Sequence, residues 1–314
     1  MINFKDLLKA GVHFGHKASF GNPKMFPYIW GSKNKIHLID ISKTAFLLEH
    51  TGKKLKEIVA NGGQILWVGT KKPAQNIIKK IAEDLKMPYV VNRWIGGTLS
   101  NHGQIKKAIT KYLHLKDIAK KTDTYYTKKE RVMLQKEAER LEKNIGGIVN
   151  LDFPPAAIII VDAKKEHSTV KESHMSGIPV IALVDTNTDP SMIDYIIPGN
   201  DDSPKSIEFI IEHLHEFAAE GKKLAKAKKT EEEEKIAKEK ETKKATTQKT
   251  ETIKKVDSTK SETKKSTESK TGKKEETKKA ESEKPKNTQK PVATKSTTKK
   301  VETKSPAKKS AAKK

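Results

Sequence analysis

Runs of Ile, Val and Leu alternate along the chain with longer segments in which apolar residues recur every three or four positions. This alternation is typical of an α/β domain in which helices cover both faces of a parallel sheet. The predicted strands are residues 36–40, 64–68, 88–91, 157–161, 178–184 and 195–197. The predicted helices are residues 3–12, 42–60, 73–86, 164–176 and 203–220. The pattern therefore indicates a flavodoxin-like or Rossmann-like domain.

Capping residues support the first two helices of this scheme. Asn3 and Ser42 are residue types that cap the N-terminus of a helix, and Gly11 is typical of a helix end. Between these helices, residues 12–35 are rich in Gly, Pro, His, Lys and aromatic residues, without a clear period. Because long loops with apolar content are usually functional rather than disordered, we expect an irregular but ordered segment here.

A charged helical insertion separates two of the predicted strands. Residues 98–150 contain many Lys and Glu residues and two narrow apolar stripes with helical spacing. One stripe consists of Ile105, Ile109, Tyr112 and Ala119, and the other of Leu134, Ala138, Leu141 and Ile145. Residues 122–127 break both stripes, which predicts an antiparallel coiled-coil hairpin that projects from the sheet domain. The sheet domain is then discontinuous and comprises residues 1–97 and 151–221.

Residues 222–314 differ in composition from the rest of the chain. They hold 32 Lys against 15 acidic residues, and therefore +17 of the formal net charge of +24, and they contain no aromatic residue. Such a segment cannot bury enough apolar surface to offset the entropy cost of ordering. We expect a disordered polycationic tail, in which only residues 231–240 have the pattern of a transient helix.

The composition also excludes several classes of protein. The chain has no cysteine, so it has no disulfide framework and no thiolate metal ligand or nucleophile. The N-terminus lacks a signal-peptide core, and no run approaches the ~18 apolar residues that a membrane span needs. We therefore expect a soluble, cytoplasmic protein. The basic balance predicts a polyanionic partner, either nucleic acid or an anionic membrane surface.

Two segments combine basic residues with features of a nucleic-acid surface. In the first, Lys17, Lys24, Lys33 and Lys35 are interleaved with Phe20, Phe26, Tyr28 and Trp30, aromatic residues that could equally fill the core. The second is residues 92–101, in which Arg93 is expected to contact phosphate and Trp94 to fill the joint between sheet and hairpin. Only three of the 64 basic residues are Arg, which favours phosphate contact over base recognition.

Signs of catalytic or cofactor chemistry are weak. Gly69, Thr70, Lys71 and Lys72 follow a strand and precede a helix, as a phosphate cradle does, but they lack the spacing of known nucleotide-binding loops. Lys71 and Lys72 are predicted instead to contact a phosphodiester backbone. Asp162 and Asp185 end two strands, where α/β enzymes place catalytic acids, yet no nucleophile or cofactor motif accompanies them.

Metal-binding patterns are also incomplete. His13 and His16 have no third ligand marked by spacing. Residues 185–189 resemble the start of a calcium loop, but Pro190 stands where that loop requires Gly, and Ile196 where it requires Glu. We expect their Asp and Asn side chains to hydrogen-bond within their own loop. The sequence therefore predicts no metal site, no cofactor and no catalytic residue.

Residues 92–99, Asn-Arg-Trp-Ile-Gly-Gly-Thr-Leu, are the most particular stretch of the chain. This stretch and several others resemble the family of the second protein of the bacterial small ribosomal subunit. The other matching segments are residues 10–16, 22–25, 36–40, 68–72, 141–143, 146–147, 161–167, 177–180, 184–187 and 197–202. They lie in order across residues 4–220. Residues 16–22 depart from the family pattern, and the tail has no counterpart in typical members.

The resemblance implies a structural component of the ribosome rather than an enzyme. It implies binding to small-subunit ribosomal RNA near the junction of head and body, and docking of the large, messenger-binding first protein of that subunit. It adds Asn101, Lys106 and Lys107 to the RNA-contact candidates Lys17, Lys24, Lys33, Lys35 and Arg93. The alternatives are an α/β enzyme or nucleotide-binding protein that uses the turn at Gly69, and an adhesion or scaffold protein like the laminin receptor of the family's eukaryotic branch.

Overall fold

The computed structural model describes residues 2–120, 126–228 and 230. Its helices are α1 (Phe4–Ala10), α2 (Ile41–Ala60), α3 (Lys72–Asp84), α4 (His102–Lys120), α5 (Lys128–Ile145), α6 (His167–Met175) and α7 (204–228). Its strands are β1 (Phe14–Lys17), β2 (Ile29–Lys33), β3 (Ile36–Ile39), β4 (Ile65–Val68), β5 (Tyr89–Val90), β6 (Ala157–Val161), β7 (Val180–Val184) and β8 (Tyr195–Pro198). The predictions for residues 122–125 of the turn and for residues 231–314 of the tail lie outside the described residues.

The main sheet has five parallel strands in the order β5-β4-β6-β7-β8. All residues of β4, β6 and β7 are buried, as expected for continuous apolar strands that are covered on both faces. The predicted parallel-sheet α/β class is therefore confirmed. The five later predicted strands all belong to this sheet.

The first predicted strand belongs to a different sheet, which corrects the expectation for residues 12–40. Strand β3 pairs antiparallel with both β1 and β2 in a three-stranded sheet. Asn34 and Lys35 join β2 to β3 with φ of 52° and 61°, the pair of left-handed conformations that a tight hairpin turn requires. Residues 12–35, expected to be irregular, thus contain two short strands and two 3-10 turns.

The predicted caps of α1 are confirmed, and the predicted N-cap of α2 is corrected. Asn3 accepts a hydrogen bond from the backbone nitrogen of Lys5 at 3.1 Å, and Gly11 ends α1 with φ of 74°, as predicted. The cap of α2 is Asp40 rather than Ser42. The Asp40 carboxylate accepts from the Ser42 backbone nitrogen at 3.0 Å, because the helix begins one residue before Ser42.

Two apolar cores cover the two faces of the main sheet, because successive strand residues point to opposite faces. One core joins Ile65 and Trp67 of β4 to buried residues of α2, α3 and α7. The other joins Leu66 and Val68 to α6 and to the base of the helical insertion, including Trp94. The sheet therefore supports the insertion directly through its second face.

Helices α4 and α5 pair with each other through the predicted apolar stripes. Ile105, Tyr112, Ala138 and Ile145 are buried, and the Tyr112 hydroxyl donates to the Glu142 carboxylate at 3.0 Å. A capping box of Thr127 and Glu130 starts α5. The predicted domain boundaries stay predictions. Helix α7 runs through the boundary that was placed at residues 221 and 222.

Candidate nucleic-acid interface

Three candidate lysines lie together on the small antiparallel sheet. Lys17 and Lys33 both oppose Ile36 in the strand register, one from each side, and Lys35 lies in the adjoining turn. All three are exposed, and none has an ion-pair partner within the described part of the chain. The register thus places three free ammonium groups at one end of one sheet, an arrangement that suits a run of phosphates.

Aromatic side chains on the same segment are mostly exposed rather than packed in the core. Trp30 is 76% exposed, and Phe20 and Phe26 are also exposed, whereas Tyr28 is half-buried. Exposed rings next to lysines can stack on unpaired bases or on an apolar partner. The alternative of core filling therefore applies to none of the three exposed rings.

Lys24 has a different environment from the other lysines of this segment. Its ammonium lies 2.9 Å from Asp189 Oδ2 and donates to Ser191 Oγ at 2.7 Å. Hydrogen bonds from Lys24 and Ser191 lower the pKa of the Asp189 carboxyl to about 2. These contacts tie the segment to the loop after β7. As expected, Asp189 also hydrogen-bonds within its own loop, to the Ser191 backbone nitrogen at 3.0 Å.

The loop between β5 and α4 presents the second group of candidates. Arg93 and Asn101 are exposed at its two ends, while Trp94, Thr98 and Leu99 are buried beneath them. Trp94 packs in the core between the sheet and α4, which is the structural role that the sequence favoured. Arg93 has no ion-pair partner among the described residues, so its guanidinium is available to an external anion.

The carboxylate of Glu172, from α6, fastens this loop. Its Oε1 accepts from the Gly97 backbone nitrogen at 2.8 Å and from Trp94 Nε1 at 3.3 Å. Its Oε2 accepts from the backbone nitrogens of Leu99 at 3.0 Å and Ser100 at 3.4 Å. Glu172 was not a candidate from the sequence, since nothing in an isolated helix of charged residues marks which acid faces a distant loop.

Helix α4 begins directly after the loop and carries the remaining candidates. The Asn101 backbone nitrogen donates to the Gly97 oxygen at 2.8 Å, so the start of α4 is continuous with the fastened turn. Lys106 and Lys107 are exposed near this start and have no ion-pair partner within the described ranges. Arg93, Asn101, Lys106 and Lys107 therefore form a second basic group, at the base of the helical pair.

The turn before α3 is occupied by contacts within the protein. A Cβ on Gly69 would lie 2.8 Å from the Ile78 side chain, so glycine serves close helix packing here. The Thr70 hydroxyl donates to the buried Glu166 carboxylate, whose pKa is raised by burial. Lys72 is exposed, without an ion-pair partner in the described residues. The geometry gives no support to a phosphate cradle at this turn.

Lys71 lies among three carboxylates that the sequence did not bring together. Its ammonium is 2.6 Å from Asp202 Oδ1, 2.8 Å from Asp201 Oδ1 and 3.4 Å from Asp162 Oδ2. Burial alone would lower the pKa of Lys71, but its hydrogen bonds with Asp201 and Asp202 raise it. The predicted contact of Lys71 with RNA stays a prediction. In this conformation its charge is compensated within the protein.

The same cluster contains a group of potential metal ligands. His16, Asp185, Asp201 and Asp202 offer ligand atoms within 4.8 Å of one another, a set that could hold a divalent cation. The hydrogen bond between His16 Nδ1 and Asp185, at 2.6 Å, raises the pKa of His16. Burial and the charge of Asp162 raise the pKa of Asp201 to about 7. A signal was present in the sequence, because Asp162, Asp185 and Asp201 each follow a parallel strand and such strand ends share one edge.

Comparison with known proteins gives a consistent result. The model of the family "Ribosomal protein S2" matches residues 7–221. A small ribosomal subunit protein uS2 of Cytophaga hutchinsonii is 47% identical over 214 residues, which cover 68% of this chain and 84% of the relative. The uS2 proteins of Nitratiruptor sp. and Fusobacterium nucleatum are 43% and 44% identical, over 76% and 70% of this chain and 89% and 90% of theirs. No helix in the described part of the chain combines the length and apolar character needed to cross a membrane.

Proposed function

The chain belongs to the ribosomal protein S2 family, and on that basis we propose that it binds small-subunit ribosomal RNA near the junction of head and body. A structural role in the small ribosomal subunit, rather than an enzymatic one, follows from the family. The finer proposal rests on one observation. Two groups of candidate cations are exposed and have no ion-pair partner within the described residues: Lys17, Lys33 and Lys35 on the small sheet, and Arg93, Lys106 and Lys107 at the base of the helical pair.

The proposed RNA contacts use these groups and the turn before α3. They are Lys17, Lys33, Lys35, Lys72, Arg93, Asn101, Lys106 and Lys107, with Lys24 and Lys71 as contacts that would require exchange of their present carboxylate partners. Lysine-rich contacts give affinity and orientation rather than base recognition. RNA geometry, not a pocket, would then determine where the protein binds.

The proposal extends to the parts of the chain around these groups. Helices α4 and α5 would form an antiparallel coiled coil that reaches along the RNA. Residues 222–314 would add nonspecific attraction to RNA through their excess of lysine. Exposed aromatic residues such as Trp30 and Phe46 offer an apolar surface for docking the large, messenger-binding first protein of the subunit. The protein would perform this role on cytoplasmic ribosomes.

Salt-dependent binding to a transcript of small-subunit ribosomal RNA tests the proposal. The triple variant K17Q/K33Q/K35Q should lower the slope of log affinity against log salt by about 2–3, since each phosphate contact contributes ~0.7–0.9. A control triple, K53Q/K54Q/K79Q, removes the same charge from lysines that form ion pairs on α2 and α3. Equal effects of the two triples would refute the assigned surface. Absence of the wild-type chain from small-subunit fractions of a gradient would refute the function.

A further inference from the structure

The turn at residues 94–101, which follows Arg93, is held by a single side chain from another element, whereas Asn92, before Arg93, donates its amide to the Lys143 backbone oxygen. The two carboxylate oxygens of Glu172 accept hydrogen bonds from three backbone N–H groups and one indole N–H, those of Gly97, Leu99, Ser100 and Trp94. Apart from these bonds, the turn is closed by local bonds such as Thr98 N to Ile95 O and Asn101 N to Gly97 O. Charge-assisted bonds of this kind are roughly twice as strong as neutral ones.

The residues on either side of this fastened turn are the proposed RNA contacts. Arg93 precedes it, Asn101 is its last residue, and the start of α4, with Lys106 and Lys107, follows it. The same turn is also the forward connection from the sheet to the helical pair, since α4 begins at His102. The orientation of the second basic group relative to the sheet therefore depends on how this turn is held.

We propose that Glu172 is a positioning residue for RNA binding, which acts by fixing the 94–101 turn and thereby the placement of Arg93, Asn101 and the base of α4. This inference rests on the proposed RNA-binding function and adds to it a residue that does not touch RNA. A carboxylate suits the role because all the donors are N–H groups and both of its oxygens accept. An amide has one accepting oxygen, so in either orientation its NH2 group would face an N–H donor.

Electrostatics alone predicts the opposite effect from positioning, which makes the test sharp. Replacement of Glu172 by Gln removes a negative charge, and loss of a negative charge should strengthen binding to a polyanion. Positioning instead predicts weaker binding, by about tenfold, with a salt slope lowered by ~0.7–0.9 because the Arg93 contact is lost. Glu208→Gln is the matched control, since Glu208 is exposed on α7 and has no ion-pair partner among the described residues.

The experiment combines hydrogen exchange of the free chain with binding to small-subunit ribosomal RNA. In E172Q the amides of Gly97, Leu99 and Ser100 should exchange at least about tenfold faster than in the wild type, since their protection requires the intact bonds. Glu208→Gln should leave these amides unchanged. In the double variant E172Q/R93A the loss of binding should be less than the sum of the two single losses, because both changes remove the Arg93 contact.

Defined outcomes separate this inference from the proposed function. If the wild type binds RNA and E172Q binds equally well or better, or if the three amides keep their protection, the inference is wrong. If the wild type does not bind, the proposed function fails whatever the exchange data show. Should E172Q not fold, E172D decides, because it keeps the charge but its shorter side chain withdraws the oxygens from the turn. Wild-type affinity in E172D would then overturn the inference.

Discussion

Replacement of Lys71 by Met tests how much this lysine contributes to the stability of the fold. The substitution keeps a long, flexible side chain and removes the ammonium group that Asp201, Asp202 and Asp162 share. The Lys71 side chain is 17% exposed and that of Asp201 only 1%, so water cannot take over the lost contact at Asp201. The variant therefore leaves a buried carboxylate without its cation.

The expected loss of unfolding free energy follows from how deeply these side chains are buried. Removal of one partner of a buried ion pair costs about 3–5 kcal/mol. The contact with Asp202, which is 61% exposed, adds little, on the order of 0–1 kcal/mol. Asp201 can relieve part of the cost by binding a proton, since its pKa is already raised to about 7. We therefore expect K71M to lose about 3 kcal/mol of unfolding free energy near neutral pH.

Urea unfolding at pH 7.5 with a chelator present measures this loss, and K72M is the matched control. Lys72 is the next residue, is exposed and has no ion-pair partner in the described residues, so its loss should stay within about 0.5 kcal/mol. In RNA binding K72M should lower the salt slope by ~0.7–0.9, since the Lys72 ammonium can reach a phosphate without exchange of a carboxylate partner. Equal destabilisation by the two variants would refute the reasoning.

Three further outcomes are expected. Burial raises the pKa of Glu166, so over a range above pH ~4 the folded state holds a proton that the unfolded state has lost, and the contribution of this group to stability falls as pH rises through its folded pKa. Urea unfolding should therefore show Glu166→Gln gaining stability relative to wild type along that rise, and a pH-independent difference would contradict this. A Cβ on Gly147 would lie 2.2 Å from the Tyr89 backbone oxygen, so Gly147→Ala should lower the thermal midpoint by several degrees, whereas Gly31→Ala, with open space around its Cβ, should not. Deletion of residues 231–314 should leave assembly into small subunits intact but slow RNA association at low ionic strength, which stopped-flow binding measures; unchanged rates would remove the proposed role of the tail.

The sequence determined the class of the main domain because its signals are local. Continuous apolar strands such as β6 and β7 are buried on both sides only where helices cover both faces of a sheet. Such a run of apolar residues can be recognised without knowledge of the strand that it pairs with. The same holds for Asn3 and Gly11, whose capping roles depend on neighbours a few residues away. The two stripes of the insertion likewise predicted which faces of α4 and α5 meet.

Predictions from the sequence were wrong where the partner of a strand is distant along the chain, or where a strand or a helix start is too short to leave a clear pattern. The sequence of strand β3 resembles that of a strand in the main sheet. Its partners β1 and β2 were not predicted, because they lie in a segment of Gly, Pro and aromatic residues that has no clear alternation of apolar and polar positions. Asp40 replaced Ser42 as the cap of α2 because a shift of one residue in a helix start leaves the pattern almost unchanged.

The same difference between local and distant information applies to the candidate site. Sequence alone predicted that lysine-rich exposed segments bind a polyanion, since charge and exposure of most lysines need no tertiary partner. Only the tertiary structure decided which cations stay free. In the folded chain Lys71 forms ion pairs with Asp201 and Asp202, some 130 residues away, and Lys24 forms one with Asp189. Arg93 is exposed next to the turn that Glu172 holds. Such pairings depend on where strand ends and helix faces meet in space, and spacing along the chain does not contain that information.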